Sequence, residues 1–184
     1  MKHSAIFALG SLAVAICLFA TPVASTAQPA PAPTMVPMNK PDFSSLMFLV
    51  GTWKCMQSLR GKQRSDTATT TVSADGMWLV TQDTSPPFDQ YRTVAINGTT
   101  YTGYDSTIKQ WIQIGIDSGG GYGTSTSPGW QGNTITWTTK NLDGSSGTDV
   151  NTKHSDTMYT DSSSATDAQG KTTNVTVTCN KEGS

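Results

Sequence analysis

Phe48-Leu49-Val50-Gly51-Thr52-Trp53-Lys54-Cys55 is the stretch that decides the fold. An apolar run meets a glycine, and a tryptophan then opens an alternating segment with Trp53, Cys55, Gln57 and Leu59 on one face. Apolar side chains at every second position describe a half-buried strand. A large ring at the start of such a strand suits the closed end of a barrel, where bulky side chains fill the interior. Trp53 is therefore expected to be a structural plug.

Downstream, further period-two segments follow one another. Among them are 67–74, 77–83, 91–96, 99–104, 110–117, 122–127, 134–141, 150–154, 157–163 and 172–180. Asp75-Gly76 and Asn97-Gly98 read as hairpin dipeptides, and Ser118 to Gly121, Pro128 to Asn133, Asp143-Gly144 and Asp167 to Gly170 as turns. Roughly nine to ten short strands at this spacing form the all-β sandwich or barrel pattern. No strand–helix alternation suggests a parallel sheet. Hairpin links make strand order sequential, and a sequential antiparallel sheet this long leaves two edges open unless it closes. The expected fold is all-β, an antiparallel up-and-down barrel whose first and last strands are neighbours. Cys55 lies in the first and Cys179 in the last. A disulfide between them would staple the seam.

The N-terminal region reads differently. Residues 1–27 have a short polar start (Lys2, His3), an apolar run from Ala5 to Ala20, and small residues at Ser25 and Ala27. This is the pattern of a signal peptide cleaved after Ala27. Cys17 follows Val14-Ala15-Ile16, and a bulky isoleucine stands where a lipoprotein signal wants a small residue, which argues against a lipid anchor there. Residues 28–41 are a Pro/Ala-rich linker, and 42–184 are the expected barrel domain. Within it, 42–49 is the one helical piece, with Asp42 as cap and Phe43, Leu46, Met47 and Val50 on one face. The protein is expected in the periplasm or secreted, where a disulfide persists. No other stretch reads as a membrane span.

The formal net charge is −1, and only 14% of residues are charged, with a single glutamate, Glu182. No basic cluster is present, which argues against nucleic acid and anionic membrane surfaces as partners.

Two motifs carry a resemblance. Phe48 to Trp53 resembles the G-x-W start of lipocalin-like (calycin) barrels. Gly103-Tyr104-Asp105, followed by Ile108-Lys109-Gln110-Trp111 and Ile116-Asp117-Ser118, is similar to a family of small, often exported bacterial lipocalin-like proteins of unknown function. The similarity covers roughly residues 43–140, and the GYD portion is its more specific part. It implies a calycin-type barrel with an apolar cavity and no assigned activity. Haem-binding relatives of this barrel class use a histidine late in the chain, but their motif has no visible match here.

Residues with chemical potential were weighed in turn. Ile116-Asp117-Ser118-Gly119-Gly120 looks like the nucleophile loop of trypsin-like proteases, yet a serine nucleophile needs a base beside it. The one histidine after the signal region, His154, follows Ser118 in an order that family does not use. A glycine-rich hairpin turn explains the stretch. His154 as a haem or metal ligand is set against a surface residue flanked by Lys153, Ser155 and Asp156. Asp143, Asp149, Asp156, Asp161 and Asp167 lack the frame of a calcium loop and read as solvated turns. Gly119 to Gly123 has no following helix to make a phosphate cradle. On 110–117 the isoleucines 112, 114 and 116 read as core, leaving Trp111 outside or under a loop.

The functional expectation is a non-catalytic binder of a small apolar or amphipathic molecule. Trp78, Tyr104, Ile114 and Trp137 are the candidate lining, with no cofactor and no metal. A haem barrel using His154 is the alternative, and a structural envelope protein with a filled barrel is another. Oligomeric state stays open.

Overall fold

A computed structural model describes residues 39–59, 61–88 and 93–183. The expected signal peptide, Cys17 and most of the linker lie outside these residues. A 3-10 helix, Ser44–Leu49, precedes eleven strands: β1 Gly51–Leu59, β2 Lys62–Val72, β3 Leu79–Ser85, β4 Ile96–Asp105, β5 Gln110–Asp117, β6 Tyr122–Ser127, β7 Trp130–Gln131, β8 Thr134–Lys140, β9 Ser146–Ser155, β10 Met158–Thr166 and β11 Thr172–Lys181. Consecutive strands pair antiparallel except β6 and β7, since β7 pairs with β8 alone; β1 pairs with β11, and β6 pairs with β8. Ten strands thus close into a barrel, with β7 a short extra strand on β8. The all-β, up-and-down expectation holds.

Cys55 and Cys179 are direct register partners, their Cα atoms 4.0 Å apart, and a disulfide joins them. It lies on the junction of the first and last strands, 124 residues apart in sequence.

The 3-10 helix fills one end. In a 3-10 helix residues three apart eclipse one another, so Phe43, Leu46 and Leu49 share a side. Phe43 and Leu46 are buried against Leu79, Trp111, Ile135 and Trp137, while Leu49, Val50 and Trp130 pack partly exposed against the same cluster. Met47, expected on the buried face, is exposed because the tighter helix turns it outward. Asp42 sits one residue before the N-cap position and accepts the Ser44 amide at 2.9 Å.

Two sequence expectations are corrected. Asn97-Gly98 does not turn. Both residues lie inside β4, opposite Thr84 and Asp83 on β3, and Gly98 also faces Asp117 on β5. A Cβ at position 98 would collide with the Asp83 carboxylate, so this glycine is there for space and not for a hairpin. Of the expected strand 91–96, only Ile96 begins a strand; 93–95 are irregular, and 91–92 lie outside the described residues.

The second correction concerns β5. Trp111 is buried and faces the core, while Ile114 and Ile116 are 42% and 57% exposed on the outer surface. The preceding turn sets this face. Asp105 accepts the amides of Thr107 and Ile108, and the turn places Tyr104 opposite Trp111. Once one residue of a strand faces inward, the period of two fixes all the others.

Replacing both cysteines (Cys55→Ala with Cys179→Ala) should lower the unfolding free energy by ~2–4 kcal/mol, measured by denaturant unfolding. Intact mass of the unreduced protein after thiol alkylation under denaturing conditions should show neither cysteine modified. Two alkylated thiols would count against the bond.

Candidate functional site

The inward face can be followed around the ring from the register. Trp53, Cys55 and Gln57 on β1 face Ala68, Asp66 and Arg64 on β2. Thr70 pairs with Thr81, and Thr81 with Thr100. Thr102 pairs with Gln113 and Trp111 with Ser127. On the other side Trp137 pairs with Asp149, Ile135 with Asn151, Asn151 with Asp161, Asp161 with Val177, and Tyr159 with Cys179. The residues near the helix-plugged end are large and apolar. Farther along, the lining becomes threonine, glutamine and aspartate.

A cavity of about 350 Å³ lies where these two zones meet. Trp53, Trp137, Tyr159, Val177 and the Cys55–Cys179 bridge give it an apolar wall, and Thr70, Thr81, Thr100, Gln113, Asp149, Asn151 and Asp161 give it a polar one. The aromatic wall is rigid. The Trp53 ring meets Tyr159 at 4.9 Å and Phe48 at 6.3 Å, and its indole N–H donates to the Leu49 carbonyl at 2.8 Å. The Trp137 indole N–H donates to the Asn151 side-chain oxygen at 3.1 Å. Lys181 Nζ sits 5.4 Å from the Trp53 ring and donates to the Phe48 carbonyl, and Lys153 Nζ lies over the Phe48 ring and pairs with Asp156.

The polar wall is electrostatically unusual. Burial pushes the Asp161 carboxyl up to about 7, the nearby Asp149 charge pushes in the same direction, and a hydrogen bond from Ser163 opposes both. One Asp161 oxygen, Oδ1, is buried without a hydrogen-bond partner. Burial, and secondly Asp161, lift the Tyr159 phenol to about 12. Among the described residues neither Asp149 nor Asp161 is in an ion pair.

A second cavity of about 350 Å³ shares Thr100 with the first. Gly98, Gly115 and Gly123 line it beside Asp83 and Asp117. Burial, followed by the charges of Asp66 and Asp117, raises the Asp83 carboxyl, and Arg64 partly offsets this. Arg64 is committed to Asp66, donating from Nε at 3.0 Å and Nη2 at 2.7 Å, with Gln57 Nε2 adding a third donor at 2.7 Å.

The four residues expected to line a ligand site are not brought together. Trp137 lines the first cavity. Tyr104 faces inward at the plugged end, 5.4 Å from the Trp111 ring, and is 41% exposed. Trp78 lies against Gly103 and Tyr101, where a Cβ on Gly103 would strike its ring at 2.6 Å. Ile114 projects outward opposite Tyr101. His154 is exposed on β9, its Nε2 3.0 Å from the Thr160 hydroxyl, and Ser118 Oγ accepts the Asn97 amide at 3.0 Å. Among the described residues no three His, Cys, Asp or Glu side chains group as a metal site. The aspartates that matter, Asp149 and Asp161, sit on strands and not in the solvated turns assigned to them from sequence. Their signal was alternation: Asp161 stands two residues from Tyr159 on one face of β10.

The sequence matches no protein-family model, and no curated protein is significantly similar to it. The closed antiparallel barrel fits a lipocalin-like fold. Among the described residues no helix is long and apolar enough to cross a membrane, and the disulfide fits an oxidising compartment.

Because the folded carboxyl of Asp161 sits above its ordinary value, its ionisation opposes folding. Below about pH 4 both folded and unfolded forms are protonated and the group is neutral to stability. Stability is lost as the pH rises from there through about 7. Asp161→Asn should therefore raise unfolding free energy at pH 8 by on the order of 2–4 kcal/mol more than at pH 4. Thermal or denaturant unfolding of both proteins across this range is the measurement, and parallel pH curves would contradict the assignment.

Proposed function

We propose that this protein is an exported, non-catalytic lipocalin-like binder that holds one small amphipathic molecule in its barrel. The cavity with an aromatic wall on one side and a polar wall on the other carries the reading. Ligand sites are typically concave, largely apolar and furnished with a few fixed polar groups, with volumes from roughly 300 to 1,000 Å³. This cavity is at the small end of that range. Export is supported by the N-terminal signal pattern and the disulfide, and the family reading by the GYD resemblance around Tyr104 and Trp111. The non-catalytic reading is supported by the contacts of Ser118 and His154, the serine and histidine singled out in the sequence. Ser118 accepts a backbone amide, and His154 contacts Thr160 on the outer surface.

The sequence pointed to an apolar occupant as readily as to an amphipathic one. Asp149 and Asp161 along the wall favour the amphipathic choice, since an apolar molecule would leave their carboxyl groups desolvated and Asp161 Oδ1 without a partner.

Titrating the protein with indole or phenethylamine should shift the indole N–H resonances of Trp53 and Trp137 in a saturable way. Thr100→Phe, which fills the cavity from β4, should abolish the shift while leaving the circular dichroism unchanged. Shifts that do not saturate, or that persist in Thr100→Phe, would favour a structural barrel filled by its own side chains.

A further inference from the structure

Resting on that binding reading, we infer that the occupant is an organic cation whose ammonium group sits between Asp149 and Asp161, with its apolar body against Trp53, Trp137 and Tyr159. Three observations lead there. The cavity is a built void with two chemically distinct walls, so it orients whatever enters it. The two carboxylates are diagonal neighbours on β9 and β10, both face inward, and Asp161 Oδ1 is buried with nothing bonded to it. Neither is in an ion pair among the described residues. The cations nearest the plugged end are engaged elsewhere, Lys153 with Asp156 and Lys181 with the Phe48 carbonyl.

The alternatives are less compatible with this lining. An anion would meet two carboxylates. A neutral apolar molecule would leave the orphaned oxygen buried and unbonded, at a cost of about 1–3 kcal/mol. A divalent metal takes six or more oxygens or keeps its waters, yet one side of this cavity is apolar, and the Asn151 oxygen already accepts the Trp137 indole. An alkyl or aryl ammonium supplies N–H donors to the carboxylates and an apolar body to the rings. It also supplies the missing charge: like carboxylates facing one cavity repel, and a cation between them removes the repulsion and favours both ionised forms.

The test uses three probes with similar bodies and different charges: phenethylamine, ethylbenzene and 3-phenylpropionate. Each is titrated into the oxidised protein and followed by the Trp53 and Trp137 indole resonances. Phenethylamine should bind at least tenfold more tightly than either partner. Asp149→Asn with Asp161→Asn should erase that preference. Asp161→Asn alone provides the comparison if the double replacement does not fold, and the ranking on the unaltered protein needs no variant. Equal or tighter binding of ethylbenzene or 3-phenylpropionate, or an amine preference that survives the replacements, would overturn the cation assignment while leaving barrel binding in place. Saturable binding by none of the three would overturn the binding reading itself.

Discussion

Closure of the sheet is the constraint on which the rest depends. Pairing β1 with β11 and β6 with β8 turns an open ladder into a ring. Inside a ring every strand has one concave and one convex face, so a single inward residue decides the positions two and four away. The disulfide acts at the junction between the strands most distant in sequence, and it holds the Trp53 face of β1 against the Val177 face of β11. The interior composition, and with it the chemistry of the cavity, follows from that one alignment.

The interior is divided along the barrel axis. The plugged end is stabilised by conventional burial: Leu46, Leu79, Ile135, Trp53 and Trp137 are nearly inaccessible, and each fully buried side chain of this kind contributes about 1.5–3 kcal/mol. The remaining interior cannot be stabilised in this way, because it carries Asp66, Asp83, Asp149 and Asp161. Among the described residues only Asp66 is in an ion pair with an arginine. A barrel selected for stability alone would replace such residues by apolar ones of similar volume, since buried charges are often a net cost. Asp149 and Asp161 stand at the wall of the first cavity, where the interior gives up apolar burial for carboxyl groups.

Much of the architecture was legible in the sequence because it rests on short-range rules. Alternation located β1, β5, β6 and β11 closely, the Asp75-Gly76 turn is real, and the cysteine positions implied the β1–β11 neighbour relation. What failed were local signals overruled by tertiary context. Asn97-Gly98 has the composition of a hairpin, but its glycine makes room for Asp83 in the middle of β4. The three isoleucines of β5 looked like core by hydrophobicity, yet the turn at 106–109 had already committed Trp111 to the inside. The site was less legible than the fold. Asp149 and Asp161 are far from a recognisable motif, and a strand aspartate cannot be told from a turn aspartate until register shows which side chains share its face. Of the aromatic candidates, Trp137 lines the cavity and Trp78 packs over Gly103 instead.

The join between β6 and β8 differs from every other in the ring. Only Ser125–Thr139 and Thr126–Thr138 are in register there, whereas β1 and β2 share a ladder running from Gly51–Thr70 to Leu59–Lys62. A hydroxyl contact of 2.6 Å between Ser125 and Thr139 reinforces it from within. Local opening takes place where few backbone bonds cross and is resisted where many do. By that rule this junction is the first place for the wall to open, and the disulfide-bridged junction the last. A barrel filled by its helix at one end is thus held along its side, at this one junction, by three threonines and a serine.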